Sequence, residues 1–219
     1  MAGMNFKFPG MSREAIERQA EGLLREYQPT VLRGTEPFFV ERFVDLQLES
    51  MTRVQPDYRI LPAGIYGLTD QNEMVIDLGL VDDPSSRPFL HSTMGHELGH
   101  AIMHVPILRK VGREQVFEQK TKDGEVNLYR RKDLKPYEDP EWQAWRFAAA
   151  VLMPRRVVAD MCGKGFNPCD LARHFQVNRI FVERRLSQLN LSIFTSIHPP
   201  GFHHHSPRHG ALNWCVNLS

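Results

Sequence analysis

The stretch GHELGHAIMH, residues 95–104, contains the pattern that decides how the rest of this 219-residue chain is interpreted. In the pattern His-Glu-x-x-His, His96 and His100 are four residues apart and therefore lie on the same face of a helix. Two imidazoles in this arrangement can bind one zinc ion. Glu97 projects to the side of the first histidine, where it can act as the general base on water at the metal.

His104 continues the row of histidines, but its spacing is unsuited to the same ion. Eight residues of helix give a rise of about 12 Å, which is too far from His96 for one tetrahedral site. We therefore expect His104 to support the site or to pack beside it. A histidine six residues after His100 could have been the third ligand, but that position is Pro106. The remaining ligand must come from elsewhere in the chain.

Three acidic residues in YEDPEWQAWRFAAAVLMP, residues 137–154, are candidates: Glu138, Asp139 and Glu141. Asp139 precedes a proline and is predicted to cap a helix. Glu141 falls on the helix face that carries the small and apolar residues, where a carboxylate needs a cation or another partner. Glu141 is the predicted third ligand, and the open alternative is that it serves only the positive end of the helix.

The pattern around these motifs predicts an α+β fold. Helices are expected from Ser12 to about Tyr27 and over residues 37–45, followed by short alternating segments between residues 53 and 80. We predict a small antiparallel sheet packed on the HExxH helix, and then a helical C-terminal part. Residues 73–80 are predicted to be an edge strand that could bind an extended substrate by strand addition.

The domain organisation follows from changes in pattern along the chain. We expect a domain that contains the candidate zinc site over residues 1–160, a helical end of the same domain over residues 161–192 and a tail in coil over residues 193–219. The charged segment 108–137 is predicted to be a hairpin or a flap. Clustered histidines in the tail, including residues 203–205, are interpreted as adventitious metal binders.

Composition gives no sign of a nucleic-acid or membrane protein. The 27 Lys and Arg residues nearly balance the 26 Asp and Glu residues, so the formal net charge is +1. Three cysteines are an odd number that favours reduced thiols, and no segment reaches the roughly 18 apolar residues of a membrane span. We expect a soluble cytoplasmic protein that does not bind nucleic acid directly.

The two motifs together, HELGHAIMH and PEWQAWRFAAAVLMP, resemble those of the ImmA/IrrE family of zinc metallopeptidases. The second family motif runs approximately E-x-x-A-(N/D)-x-F-A-A-x-L-L-M-P, and the similarity extends over about residues 12–190. The resemblance implies a gluzincin-like domain with one Zn²⁺ ion. Its ligands would be His96, His100 and Glu141, and Glu97 would be the catalytic residue.

The chain departs from the family motif at two positions. Trp145 stands where the family usually has Asn or Asp, and Val151 replaces the first Leu of LLMP. The first change removes a polar group expected near the metal, which affects turnover more than metal binding.

The resemblance also implies a substrate. Family members are commonly encoded with a helix-turn-helix repressor or antitoxin, which they cleave at a specific site to relieve transcriptional repression. We therefore expect a zinc-dependent endopeptidase whose partner is such a regulator.

Two other functions remain open at this stage. Residues 169–191 have apolar spacing like that of a helix-turn-helix, so Arg179, Arg184 and Arg185 could face phosphate in a DNA-binding regulator. Gln176 stands where such a turn usually has glycine, which favours a pair of helices that closes the core. The other alternative is a toxin-like or sensor protein with a structural zinc and no turnover. A structural site has four protein ligands, whereas a catalytic site has three and water.

Overall fold

Helices form most of the part of the chain that the computed structural model describes, which is residues 8–110 and 135–191. In chain order they are α1 (Arg13–Tyr27), α2 (Val40–Thr52), α3 (Leu78–Asp82), α4 (Arg87–Gly99), α5 (Val105–Lys110), α6 (Pro140–Leu152), α7 (Arg155–Gly163), α8 (Pro168–Phe175) and α9 (Arg179–Leu189). The strands are β1 (Gln55–Arg59), β2 (Gly67–Thr69) and β3 (Glu73–Asp77). The α+β class is confirmed. Most of the predicted flap and the whole of the predicted tail lie outside the described residues.

The helix boundaries follow the capping residues of the sequence. The Ser12 side chain accepts a hydrogen bond from the backbone of Ala15 at the start of α1, as predicted. The helix predicted over residues 37–45 is shifted toward the C-terminus and longer, because its apolar face continues through the buried Leu48 to Thr52. It ends at Arg53, whose φ of 59° places it in the left-handed region.

The sheet is mixed, so the predicted antiparallel sheet is wrong in one of its two pairings. Its order is β1-β3-β2, with β1 parallel and β2 antiparallel to β3. A tight turn joins β2 to β3, in which Asp70 Oδ1 accepts hydrogen bonds from the backbones of Asn72 and Glu73. The longer connection from β1 to β2 lets the chain cross over, so that β3 lies between the other two strands.

The central position of β3 also corrects the predicted edge strand over residues 73–80. Met74, Val75 and Ile76 are three consecutive fully buried residues, as expected of a strand that is covered on both faces. The chain then turns into α3 at Leu78 instead of continuing the strand. The edges of the sheet are β1 and β2.

Helices α4 and α6 approach each other closely because small residues face each other where they cross. A Cβ atom added to Gly99 would lie 3.0 Å from the Cα of Ala144, and one added to Gly95 would lie 3.4 Å from the Cβ of Ala148. The glycines and the alanines are each four residues apart, so each pair forms a small-residue stripe on its helix. This contact brings His96, near the end of α4, and His100, directly after it, beside the first turn of α6.

The helical end of the domain closes the core. Phe175 of α8 and Phe181 of α9 are buried with the apolar residues of α1 and α6. Gln176 adopts the left-handed conformation, with φ of 55°, and its carbonyl accepts a hydrogen bond from His91 Nδ1 of α4. Among the described residues, none of the helices combines the length and the apolar character needed to cross a membrane.

Candidate metal centre

Three potential ligands converge where α4 meets the start of α6. The Nε2 atoms of His96 and His100 are 3.1 Å apart. Glu141 Oε2 lies 3.3 Å from the first of these nitrogens, and Glu141 Oε1 lies 3.3 Å from the second. Within the described residues, these three form the group of His, Cys, Asp and Glu side chains that could hold a metal ion. All three are the ligands that the sequence predicted.

The spacing of these atoms fits a tetrahedral ion. Ligand atoms about 2.0 Å from a tetrahedral zinc ion are about 3.3 Å from one another. The three observed separations, 3.1, 3.3 and 3.3 Å, agree with that value. Two imidazoles and one carboxylate are also ligands that zinc accepts, so the residues present fit one Zn²⁺ ion with a further coordination position left for water or substrate.

Glu141 reaches the two histidines because the N-terminus of α6 is firmly capped. Asp139 Oδ1 accepts a hydrogen bond from the backbone of Glu141, which confirms that Asp139 is a cap. Burial raises the pKa of Glu141, but its contacts with His100 and His96 outweigh this effect and hold the pKa well below the usual range. The side chain is therefore an anion at neutral pH, as a metal ligand must be.

Glu97 lies in a buried environment next to these ligands. Its side chain is nearly inaccessible to solvent, and burial raises its pKa to about 7, although the electrostatic interaction with His100 and the hydrogen bond from Thr69 oppose the rise. The Thr69 hydroxyl donates a hydrogen bond of 2.7 Å to Glu97 Oε2. A carboxylate whose pKa lies near neutral pH can both take up and release a proton, which is what a general base in hydrolysis does.

Strand β2 forms one wall around Glu97. A Cβ atom at Gly67 would lie 2.9 Å from Glu97 Cγ and 3.0 Å from the side chain of Thr93, so only glycine allows the strand to approach this closely. Sequence reasoning missed the roles of both Thr69 and Gly67. They are about thirty residues from Glu97, and no regular spacing connects a strand with a later helix.

His104 lies behind His100, as the helix rise predicted, and is not one of the converging ligands. Residues His100–His104 form a π-helical turn between α4 and α5. His104 Nδ1 is 3.0 Å from His100 Nδ1, and its Nε2 is 2.9 Å from Gln143 Oε1. Burial lowers the pKa of His104 to about 3, so its ring is neutral at neutral pH.

Trp145 packs against His96, at the position where the family motif usually has a polar residue. The two rings have centroids 4.1 Å apart and are inclined by 30°. Among the described residues, His96 Nδ1 has no hydrogen-bond partner. Stacking on the Trp145 ring therefore helps to orient His96. It takes the place of the polar interaction that the Asn or Asp of the family motif would provide.

These features define the class of site: the HExxH helix and the carboxylate of a later helix bring together side chains that could hold one metal ion, as in domains of the metallopeptidase type. Residues 85–187, which include all four predicted site residues, match the IrrE N-terminal-like domain (Peptidase_M78). This match supports the resemblance of the chain to the ImmA/IrrE family. A comparison with curated proteins gave no match.

Proposed function

We propose that the protein is a zinc-dependent endopeptidase that cleaves a helix-turn-helix repressor or antitoxin at a specific site. The observation that carries the proposal is the convergence of His96, His100 and Glu141 beside the buried carboxylate of Glu97. Three protein ligands within the described residues leave a coordination position open, as catalytic zinc sites do. This arrangement supports hydrolysis over a purely structural metal.

The residues of the site suit amide hydrolysis. A bound zinc ion supplies Lewis acidity, which makes water acidic enough to act as a nucleophile near neutral pH and polarises the carbonyl of the bond to be cleaved. The Glu97 carboxylate accepts the proton that the attacking water loses, and then donates it to the departing amine. Its hydrogen bond from Thr69 holds the carboxylate in one orientation during both transfers.

The edge of β2 is the proposed binding site for an extended peptide. Tyr66 pairs with Asp77 and Asp70 pairs with Glu73 through backbone hydrogen bonds. Because hydrogen-bonded pairs alternate along an antiparallel ladder, the backbone groups of Gly67 and Thr69 point away from β3. They are available to a peptide that adds as a further strand next to Glu97.

Methylated peptides test this binding mode. Once a cleavage site is known, two peptides that span it are compared. One peptide has N-methyl groups on every second residue, and the other has them on the residues in between. Strand addition predicts slow cleavage of one peptide and normal cleavage of the other, because only one register needs those N–H groups for pairing. Equal cleavage of both would contradict strand addition.

The cleavage reaction itself is tested with any helix-turn-helix regulator that is encoded beside this chain. We expect the zinc-loaded protein to cut the regulator into two discrete fragments, and the Glu97→Gln variant to bind zinc normally but to cut at least about a hundred times more slowly. Glu183→Gln, on the exposed face of α9, is the matched control and should cut normally. Equal cleavage by wild type and Glu97→Gln would rule out the proposed role of Glu97.

The alternative of a DNA-binding regulator is weakened by the placement of Arg185. That alternative would have this residue face phosphate, but it is fully buried, where it contacts the Glu17 carboxylate and donates a hydrogen bond to the carbonyl of Met153. Arg179 is paired with Glu183 on the surface of α9. We propose that the protein acts in the cytoplasm without direct contact with DNA. Salt-dependent binding to duplexes of arbitrary sequence would restore the alternative.

A further inference from the structure

The side of His100 that faces away from the metal centre is held by a chain of two buried residues. His100 Nδ1 is 3.0 Å from His104 Nδ1, and His104 Nε2 is 2.9 Å from the amide oxygen of Gln143. His104 and Gln143 are 2% and 1% exposed, so water does not compete for these contacts. The direction of each hydrogen bond follows from the orientation of the amide of Gln143, which is the residue farthest from His100 in this row of contacts.

The orientation of the Gln143 amide is determined by two backbone carbonyls. Its nitrogen donates hydrogen bonds to the carbonyl of Pro9 at 3.0 Å and to that of Tyr137 at 2.8 Å. Carbonyl oxygens only accept, so both N–H groups of the amide are used there and its oxygen must face His104. The segment before α1 and the turn before α6 thus fix one amide in one direction.

This orientation determines which ring nitrogens carry hydrogen. His104 Nε2 faces an acceptor and must therefore carry the hydrogen of the ring. A neutral imidazole has a single N–H, so His104 Nδ1 can only accept, and His100 Nδ1 must donate to it. A neutral His100 ring consequently has its lone pair on Nε2, the atom that lies among the converging ligands.

We propose that His104 and Gln143 are positioning residues that set His100 in its metal-binding tautomer before any metal arrives. The inference rests on the proposed metal site and adds to it the residues that prepare one ligand. Phe8 packs edge-on against the ring of His104, with centroids 4.9 Å apart, and helps to hold its plane. A histidine whose second nitrogen is held in this way is a stronger and better oriented ligand.

The two histidine ligands differ in this respect. His96 Nδ1 has no hydrogen-bond partner among the described residues, and its ring is held by the face of Trp145. His96 Nε2 faces His100 Nε2 at 3.1 Å and Glu141 Oε2 at 3.3 Å, so it carries the ring hydrogen in the zinc-free protein and must release it when metal binds, whereas neutral His100 already has the metal-binding tautomer. The same molecule thus provides an internal comparison for the test.

The experiment measures the ring nitrogens of zinc-free protein by NMR with ¹⁵N-labelled histidine, since ring ¹⁵N shifts distinguish the two tautomers. We expect His100 to be in the Nδ1–H form in the wild-type protein. In the variants His104→Phe and Gln143→Leu, we expect it to be a mixture of tautomers. In a parallel competition assay with a chromophoric chelator, both variants should bind zinc about 10–100 times more weakly.

Matched substitutions outside the metal centre separate positioning from general effects on the fold. His174→Phe on α8 and Gln47→Leu on α2 should leave the His100 tautomer and the zinc affinity unchanged. If one of the two test variants failed to fold, the other variant and the wild-type spectrum would still test the proposal. An Nε2–H form or a mixture at His100 in the zinc-free wild type would overturn the proposal.

The same measurements distinguish failure of this inference from failure of the proposed function. A fixed Nδ1–H form of His100 in a protein that binds zinc but cuts no regulator would support the positioning role and count against the peptidase. Cleavage of the regulator by a protein whose His100 tautomer is not fixed would support the peptidase and count against the positioning role. Test variants with the tautomer and zinc affinity of wild type would also overturn the positioning role.

Discussion

The close contact between α4 and α6 makes Gly99→Ala a sharp test of how the metal centre is assembled. The added Cβ would lie 3.0 Å from the Cα and 3.1 Å from the carbonyl oxygen of Ala144. Both are backbone atoms, which cannot rotate aside, so the helices must separate by a few tenths of an ångström. Glu141, three residues before Ala144, would move away from the two histidines together with α6.

The size of the effect follows from that displacement. Overpacking a close contact costs about 1–3 kcal/mol, and replacing glycine in a helix returns roughly 0.5–1 kcal/mol, so we expect a net loss of about 1–2 kcal/mol. For a chain of this size each kcal/mol corresponds to about 2–4 °C in Tm, which gives a fall of roughly 2–8 °C. Metal–ligand distances tolerate only about 0.2 Å, so zinc affinity should fall about tenfold or more.

Thermal unfolding of the zinc-free protein measures the first effect, and competition with a chromophoric chelator measures the second. Gly95→Ala is the matched control on the same helix face, since its nearest contact, at 3.0 Å, is the flexible end of the Leu152 side chain. Gly22→Ala meets no atom within 4 Å and should be neutral or stabilising. Unchanged Tm and zinc affinity in Gly99→Ala, or equal losses in Gly95→Ala, would refute the reasoning.

Three further predictions concern single side chains. Glu141→Ala removes one of three ligands and the negative charge among them, so zinc affinity should fall about 100-fold or more; unchanged zinc stoichiometry and affinity would exclude Glu141 as a ligand. Gly67→Ala places a Cβ 2.9 Å from Glu97 Cγ, so cleavage should slow by roughly 10–100-fold while zinc content stays normal; wild-type turnover would contradict the close approach of β2. The hydrogen bond from Arg87 holds the pKa of Glu41 below its usual value. The ionised Glu41 carboxylate therefore stabilises the fold at neutral pH, and this stabilisation is lost as the pH falls through the folded-state pKa of Glu41. Glu41→Gln should therefore lower Tm at neutral pH, and by progressively less as the pH falls through the folded-state pKa; an equal loss at every pH would contradict the linkage.

Local patterns in the sequence predicted much of the site. The spacing of His96 and His100 places them on one helix face wherever that helix lies, and Asp139 before a proline specifies a helix start that leaves Glu141 in the first turn. The α+β class was also predictable, because the periods of helix and strand are visible in short windows. The order of the strands was not, because strand pairing depends on contacts between segments distant in sequence.

The sequence by itself determined which residues could bind a metal and which one could act as a base, since these properties depend on side-chain chemistry and on one turn of helix. Only the tertiary structure decided that Gly99 meets Ala144 and brings Glu141 to the two histidines. It also decided that β3 is central, that Arg185 is buried and that Gln143 is fixed by Pro9 and Tyr137. Each of these depends on the packing of surfaces that no local periodicity specifies.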